Sequence, residues 1–171
     1  MRRLFPILFL GLWIFPYSAC EKDDICVEGD TPLLVIGFFD VEDTITPKAV
    51  PSLRITLPDL ENTLVNTFSD RSSTLDSIGI PLNTQTTSTR FTFITNSADD
   101  AEMVETGNQD ILDFTYTTRE RFVSRACGFV ANYADLDTVR TVNAEEDWIK
   151  RITIVDTLIE RSNGIHVKIF H

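Results

Sequence analysis

Histidine and cysteine are scarce: two and three residues in a chain of 171. Both histidines, His166 and His171, fall at the far C-terminal end. Zinc needs a companion Cys/His cluster, and a thiol catalyst needs a histidine within reach, and neither pattern can be read. Basic residues are also few. Fifteen Lys and Arg stand against 26 Asp and Glu, for a net charge of −11. Nucleic acid is excluded as a partner, because phosphate binding needs clustered cations. Adhesion to anionic headgroups through net charge is excluded as well. No apolar run approaches the roughly 20 residues of a spanning helix. Serine-hydrolase, phosphate-loop and dinucleotide signatures are absent, as are internal repeats and low-complexity stretches. What remains is 43% hydrophobic, too apolar for a disordered acidic tail. A chain of this length forms one domain and buries about 70% of its unfolded surface.

The N-terminus reads as an export signal over residues 1–19. Met1-Arg2-Arg3 is a short positive segment, and Leu4 to Phe15 is apolar. Tyr17-Ser18-Ala19-Cys20 follows, with small residues before the cysteine. The layout fits a cleaved leader rather than a membrane span. Tyr17-Ser18-Ala19 resembles a lipobox, with Tyr17 where Leu is usual, so Cys20 is expected to be lipidated. More than one acyl chain on that residue gives stable anchoring, at about 0.8 kcal/mol per buried methylene. The alternative is ordinary secretory cleavage, which leaves Cys20 as a disulfide partner. Lys22-Asp23-Asp24 comes next and resembles the surface-export signal of Bacteroidota lipoproteins; otherwise it is part of a solvated tether over residues 20–31.

With Cys20 acylated, Cys26 and Cys127 remain. An even pair in an oxidising compartment is expected to form one disulfide closing a loop of about 100 residues.

The body, residues 32–171, reads as strands. Leu33 to Phe39 is a continuous apolar run after Thr31-Pro32, as in a buried strand. Leu53 to Leu57 alternates and stops at Pro58. Thr74 to Leu82 contains Gly79 and Pro81, which suggests an edge strand. Thr89 to Thr95 and Ile111 to Thr117 alternate with aromatics on one face. Val123 to Tyr133 alternates except at Arg125, and Gly128 marks a bulge or close packing. Ile149 to Ile159 is rich in β-branched residues, Ser162-Asn163-Gly164 is a hairpin turn signal, and Ile165 to Ile169 is a final strand. The expected fold is an all-β antiparallel sandwich, Ig-like or similar, with seven or eight strands in a single domain. Ser97 to Asp110 is a polar connection.

Candidate sites are modest. Asp99, Asp100 and Glu102 supply oxygen ligands that could take calcium, but no twelve-residue calcium loop is present, and Asp135-Leu136-Asp137 and Glu145-Glu146-Asp147 are similar clusters. All three clusters also fit a solvated surface. A carboxylate pair for glycoside hydrolysis cannot be picked out among 26 acids. Trp148, Tyr116 and Tyr133 are either a sugar-stacking platform or core aromatics. His166 alternates against Ile165 and Val167 and is expected to face solvent or a cross-strand partner. No catalytic residue and no resident cofactor is expected.

Several segments taken in order resemble an uncharacterised lipoprotein family of Bacteroidota, a domain of unknown function. They are Cys20-Glu21-Lys22-Asp23-Asp24-Ile25-Cys26, Thr31 to Ile36, Asp76 to Asn83 and Thr89 to Phe93. Ala126-Cys127-Gly128-Phe129, Trp148-Ile149 and His166 to Phe170 complete the series. The resemblance implies a lipid-anchored domain outside the cytoplasm with two cysteines available to pair. It implies no activity. The expectation is an outer-membrane lipoprotein facing outward, with a non-catalytic β-domain that binds a protein partner or serves envelope assembly. A surface module for carbohydrate or calcium is the alternative.

Overall fold

Alternating burial along the chain produces nine strands among the described residues. The structure is a computed structural model and describes residues 26, 30–141 and 147–171. Cys20, Lys22, Asp23 and Asp24 lie outside the described residues. The strands are β1 (Leu34–Phe39), β2 (Arg54–Leu57), β3 (Thr63–Leu64), β4 (Ser77–Ile80) and β5 (Ser88–Thr95). They continue as β6 (Asn108–Ser124), β7 (Gly128–Thr141), β8 (Arg151–Ile154) and β9 (Val167–Phe170). Among the described residues there is no α-helix, only a 3-10 turn at Pro58–Leu60, where the proline ends β2.

The strands make two sheets, of order β4-β1-β9-β8 and β3-β2-β5-β6-β7. This is the β-sandwich that the alternation predicts. β4 lies at a sheet edge, in keeping with its Gly79 and nearby Pro81. One pairing is parallel: β1 runs alongside β9 with Ile36 opposite Val167 and Phe38 opposite Ile169.

The core lies between the sheets. β1, β4 and β9 contribute Leu34, Ile36, Phe38, Ile78, Ile80, Val167 and Ile169, while β2, β5 and β6 contribute Ile55, Phe91, Phe93, Leu112 and Phe114. The Phe91 ring packs edge-on against both Phe93 and Phe114, with centroids 6.4 and 6.1 Å away. All three are fully buried, and each such ring contributes roughly 1.5–3 kcal/mol through lost water contact.

Three expectations are corrected. Val123 to Tyr133 is not one strand, because the chain reverses at residues 125–127 and Gly128 opens β7. Gly128 has φ of +71°, and no atom lies within 4 Å of the place a Cβ would take, so it serves the turn's left-handed backbone rather than close packing. The expected irregularity is present, as a register shift between Phe122 and Ser124 opposite Phe129 and Gly128. Of Ile149 to Ile159 only Arg151–Ile154 is strand. Ser162-Asn163-Gly164 sits inside a longer connection, since β8 and β9 pair from Ile154 opposite Val167.

The sandwich has two distinct ends. At one, β6 and β7 run on past the core as a two-stranded ribbon, paired from Thr118 opposite Tyr133 to Ser124 opposite Gly128. Cys26 and Cys127 are disulfide-bonded at its tip, across 101 residues, with Cα atoms 4.9 Å apart. At the other end lie residues 40–52, the β5–β6 connection, segment 147–150 and His171. They are joined by His171 N–H to Phe39 O (3.1 Å), Asn96 N–H to Pro51 O (2.8 Å) and Lys150 N–H to Phe170 O (2.9 Å).

Candidate functional site

At the end opposite the disulfide, an open hollow of about 500 Å³ is lined by Lys48, Asn96, Asn108, Asp147, Trp148, Lys150 and His171, among others. Segment 147–150 crosses from the larger sheet to the smaller one here, and polar side chains stitch it down. The Asp110 carboxylate, fully buried on β6, accepts a 2.7 Å hydrogen bond from the Ile149 N–H. Arg140 on β7 donates to the Ile149 carbonyl and pairs with Asp147 at 3.2 Å. Lys150 Nζ donates to the Asp147 carbonyl at 2.7 Å. On the other wall, Lys48 Nζ reaches both the His171 carbonyl and Asp40, each at 3.0 Å.

Two groups here titrate away from their ordinary values. Burial pushes the Asp110 carboxyl up, against the Ile149 N–H that favours its charged form, and the nearby Asp147 carboxylate adds to the rise. Burial holds the His171 imidazole below the usual histidine range. Its Nε2 lies 3.0 Å from the Lys48 carbonyl.

Asp110 gives a signed prediction. A carboxyl whose folded pKa is raised binds more protons in the native state than in the unfolded one. Its contribution to stability is therefore present below the unfolded value and lost as pH rises through the folded one. Asp110→Asn keeps an oxygen for the Ile149 N–H and removes the charge. It should match or exceed the parent's stability at pH 7, and the difference should shrink towards pH 4. Asp110→Ala should cost about 1–3 kcal/mol by leaving that N–H unpaired. Urea midpoints across pH would check both, and an Asn variant as unstable as the Ala variant would sink the account.

The residues singled out in the sequence scatter. Trp148 borders the hollow but is 8% exposed, and Tyr116 and Tyr133 are 4% and 0% exposed. None offers a ring face to solvent, so the stacking platform is corrected: these are core aromatics. Trp148 Nε1 donates to the Phe93 carbonyl at 3.2 Å. The Tyr133 hydroxyl donates to the Leu82 carbonyl at 3.0 Å, and its ring meets Tyr116 edge-on at 5.1 Å. Burial pushes the Tyr133 hydroxyl up to about 12.

Asp99, Asp100 and Glu102 do not converge, and the calcium site is likewise corrected. Asp99 is ion-paired with Arg71, which holds its carboxyl below the usual carboxylate range. Asp100 Oδ1 accepts from the Glu102 and Val104 N–H groups at 3.0 and 2.9 Å, so it shapes a turn. Arg54 joins the cluster through a two-point contact with Asp70, at 3.0 and 2.7 Å, and through Glu105 at 3.1 Å. Among the described residues no three Asp, Glu, His or Cys side chains are placed to share a metal ion.

His166 takes the second of its two expected settings: it is buried against a cross-strand partner on β1 rather than facing solvent. Its Nδ1 accepts from the Val35 N–H at 3.0 Å, and its own N–H donates to the Val35 carbonyl at 2.9 Å. Burial holds its pKa down, which suits an acceptor nitrogen.

Residues 41–171 match the family model described as a family of unknown function, DUF6452. The chain belongs to this family. The matched region takes in both sheets except β1, and it includes Cys127 but not Cys26. No curated protein and no solved structure matches the chain.

Sequence reasoning missed Asp110 and the hollow around it. Asp110 closes a stretch read as a polar connection, and nothing in the pattern separates one buried acid from the others. The Cys26–Cys127 pairing, by contrast, is the expected one.

Proposed function

We propose that this DUF6452 chain is an exported, lipid-anchored protein of the outer membrane, of Bacteroidota type, whose β-sandwich is a non-catalytic binding module. The observation that carries the reading is the disulfide. Cys26 and Cys127 pair with each other, which suits an oxidising compartment. That pairing leaves Cys20 over among the three cysteines of the sequence. A leftover cysteine directly after an apolar leader and two small residues has the chemistry for acylation. The anchor then belongs to the ribbon end, and the hollow at the opposite end is the surface held farthest from the membrane. There a protein partner, or a neighbouring envelope component, would meet the module.

The non-catalytic reading is supported by how the perturbed groups are used. Asp110 and His166 each accept from a backbone N–H, and His171 contacts a backbone carbonyl. These are structural duties. The carbohydrate and calcium alternative is less well supported, because Trp148, Tyr116 and Tyr133 are buried, Asp99 is ion-paired with Arg71 and Asp100 accepts from backbone N–H groups of its own turn.

Protease shaving of intact cells tests the outward orientation. The parent should be cleaved, whereas a chain with Lys22, Asp23 and Asp24 changed to Ala should be protected, with equal acylation of both shown by intact mass. Protection of both would place the module in the periplasm and leave envelope assembly as its role.

A further inference from the structure

The ribbon tip has a composition unlike the rest of the molecule. Phe122 and Phe129 sit opposite each other across β6 and β7 and meet edge-on at 5.3 Å. They are 55% and 67% exposed. By the two-residue period of a strand, Phe129 and Ala131 share the face that Tyr133 turns to the core. The core-facing row thus continues beyond the sheet that covers it. The same tip carries Arg119, Arg121 and Arg125 against a single Glu120, on a chain of net charge −11. Arg121 and Arg125 are exposed. Arg119 makes one solvent-exposed pair with Asp135, at 3.8 Å, of a kind that contributes little. The tip therefore combines exposed aromatic rings with a local excess of cations on an acidic molecule.

The disulfide decides what faces the tip. Cys26 is bonded to Cys127 at the tip and is six residues from Cys20 in sequence. Six residues span at most about 20 Å when fully extended. Resting on the reading that Cys20 is lipidated, we infer that the tip is a second, reversible membrane contact. Phe122 and Phe129 enter the lipid interface, and the three arginines lie among anionic headgroups. Whole-chain charge argues against attachment by electrostatics alone, but the anchor already supplies attachment. The tip has only to orient the molecule, and local charge is sufficient for that because screening confines the interaction to about 10 Å. Exposed aromatics flanked by cations are the composition of interfacial membrane contacts.

The test uses the full acylated chain reconstituted into two vesicle types. One is phosphatidylethanolamine with phosphatidylglycerol, the other phosphatidylcholine, each containing lipid brominated in its acyl chains. Phe122→Trp and, separately, Phe129→Trp place a reporter at the tip. Both positions are exposed, so the fold should tolerate them. Met103→Trp, 80% exposed in the β5–β6 connection at the opposite end, is the control, and the parent gives the Trp148 background. Tip reporters should lose emission to the brominated lipid while the control and parent do not. Arg121→Glu with Arg125→Glu should lower quenching on the anionic vesicles, by roughly five-fold per arginine in the docked-to-undocked ratio. Quenching on both vesicle types assigns the contact to the rings, and quenching on the anionic type alone assigns it to the headgroup charge; either supports the proposal. Vesicles that carry the protein on flotation but leave both tip reporters unquenched would overturn it and turn the tip over to a protein partner. Failure to float would remove the anchor reading, and this proposal with it.

Discussion

Reduction and alkylation of Cys26 and Cys127 should lower the unfolding free energy by about 2–4 kcal/mol. The chain-entropy account assigns a loop of this length about 4.7 kcal/mol, and residual structure in the unfolded chain trims that figure. The native side of the balance is small. Cys127 is half-buried at the tip of an exposed ribbon, so breaking the bond uncovers little apolar surface. The effect should therefore act through the unfolded state. That account has its own signature: the unfolded chain expands when the bond is gone, so the denaturant slope rises as the midpoint falls. An unchanged midpoint would show that the bond is incidental to stability. A lowered midpoint with an unchanged slope would place its effect in native contacts instead.

Trp148→Ala should be the most damaging single substitution at the hollow end of the sandwich. The indole closes the core there and meets His171 edge-on at 5.7 Å. Truncating a buried aromatic to Ala costs about 3–5 kcal/mol. The buried Phe93 carbonyl also loses its Trp148 donor. At about 2–4 °C per kcal/mol for a domain of this size, the melting temperature should fall by roughly 10 °C or more. Trp148→Phe separates the two contributions. It keeps a ring in the site and loses the N–H, so it should recover most of the stability. If the Phe variant is as weak as the Ala variant, the hydrogen bond rather than the packing dominates. Calorimetry on the three proteins would settle which.

The strands were legible wherever one face meets the core and the other meets water. Ile111 to Thr117 shows this best: Leu112, Phe114 and Tyr116 are buried while Thr115 and Thr117 are exposed, and the expected strand lies wholly within β6. The pattern failed where burial is not periodic. Ile149 to Ile159 looks continuous because β-branched residues recur, yet the chain does three things there. Ile149 is buried in a crossing between sheets, Ile152 and Ile154 pack against the core from β8, and Ile159 is buried against β7. Val155 and Leu158, 55% and 41% exposed, are on the surface. In the stretch from Val123 to Tyr133, Arg125 breaks the alternation because it belongs to the turn between two strands. The buried acid of the hollow was hidden for a different reason. Asp110 is buried because segment 147–150, distant in sequence, folds across it, and no local signal carries that contact. The disulfide was readable because counting cysteines does not depend on local pattern.

The parallel seam between β1 and β9 has a kinetic consequence. Val35 and His166, which hold each other by backbone and ring, are 131 residues apart. β1 and β9 are the two inner strands of their sheet, and among the described residues β8 pairs only with β9. As the chain folds, the five-stranded sheet can assemble from hairpin neighbours, because β5, β6 and β7 follow one another in sequence. The smaller sheet has to wait. Until residues 167–170 join it, β1 has a vacant edge and an apolar face, and β4 is its one strand partner among the described residues. A pairing of such high contact order is slow to form, and an open edge is where misassociation begins. Closure of this seam should be the late, rate-setting event of folding. Over that interval the chain is most dependent on whatever escorts it.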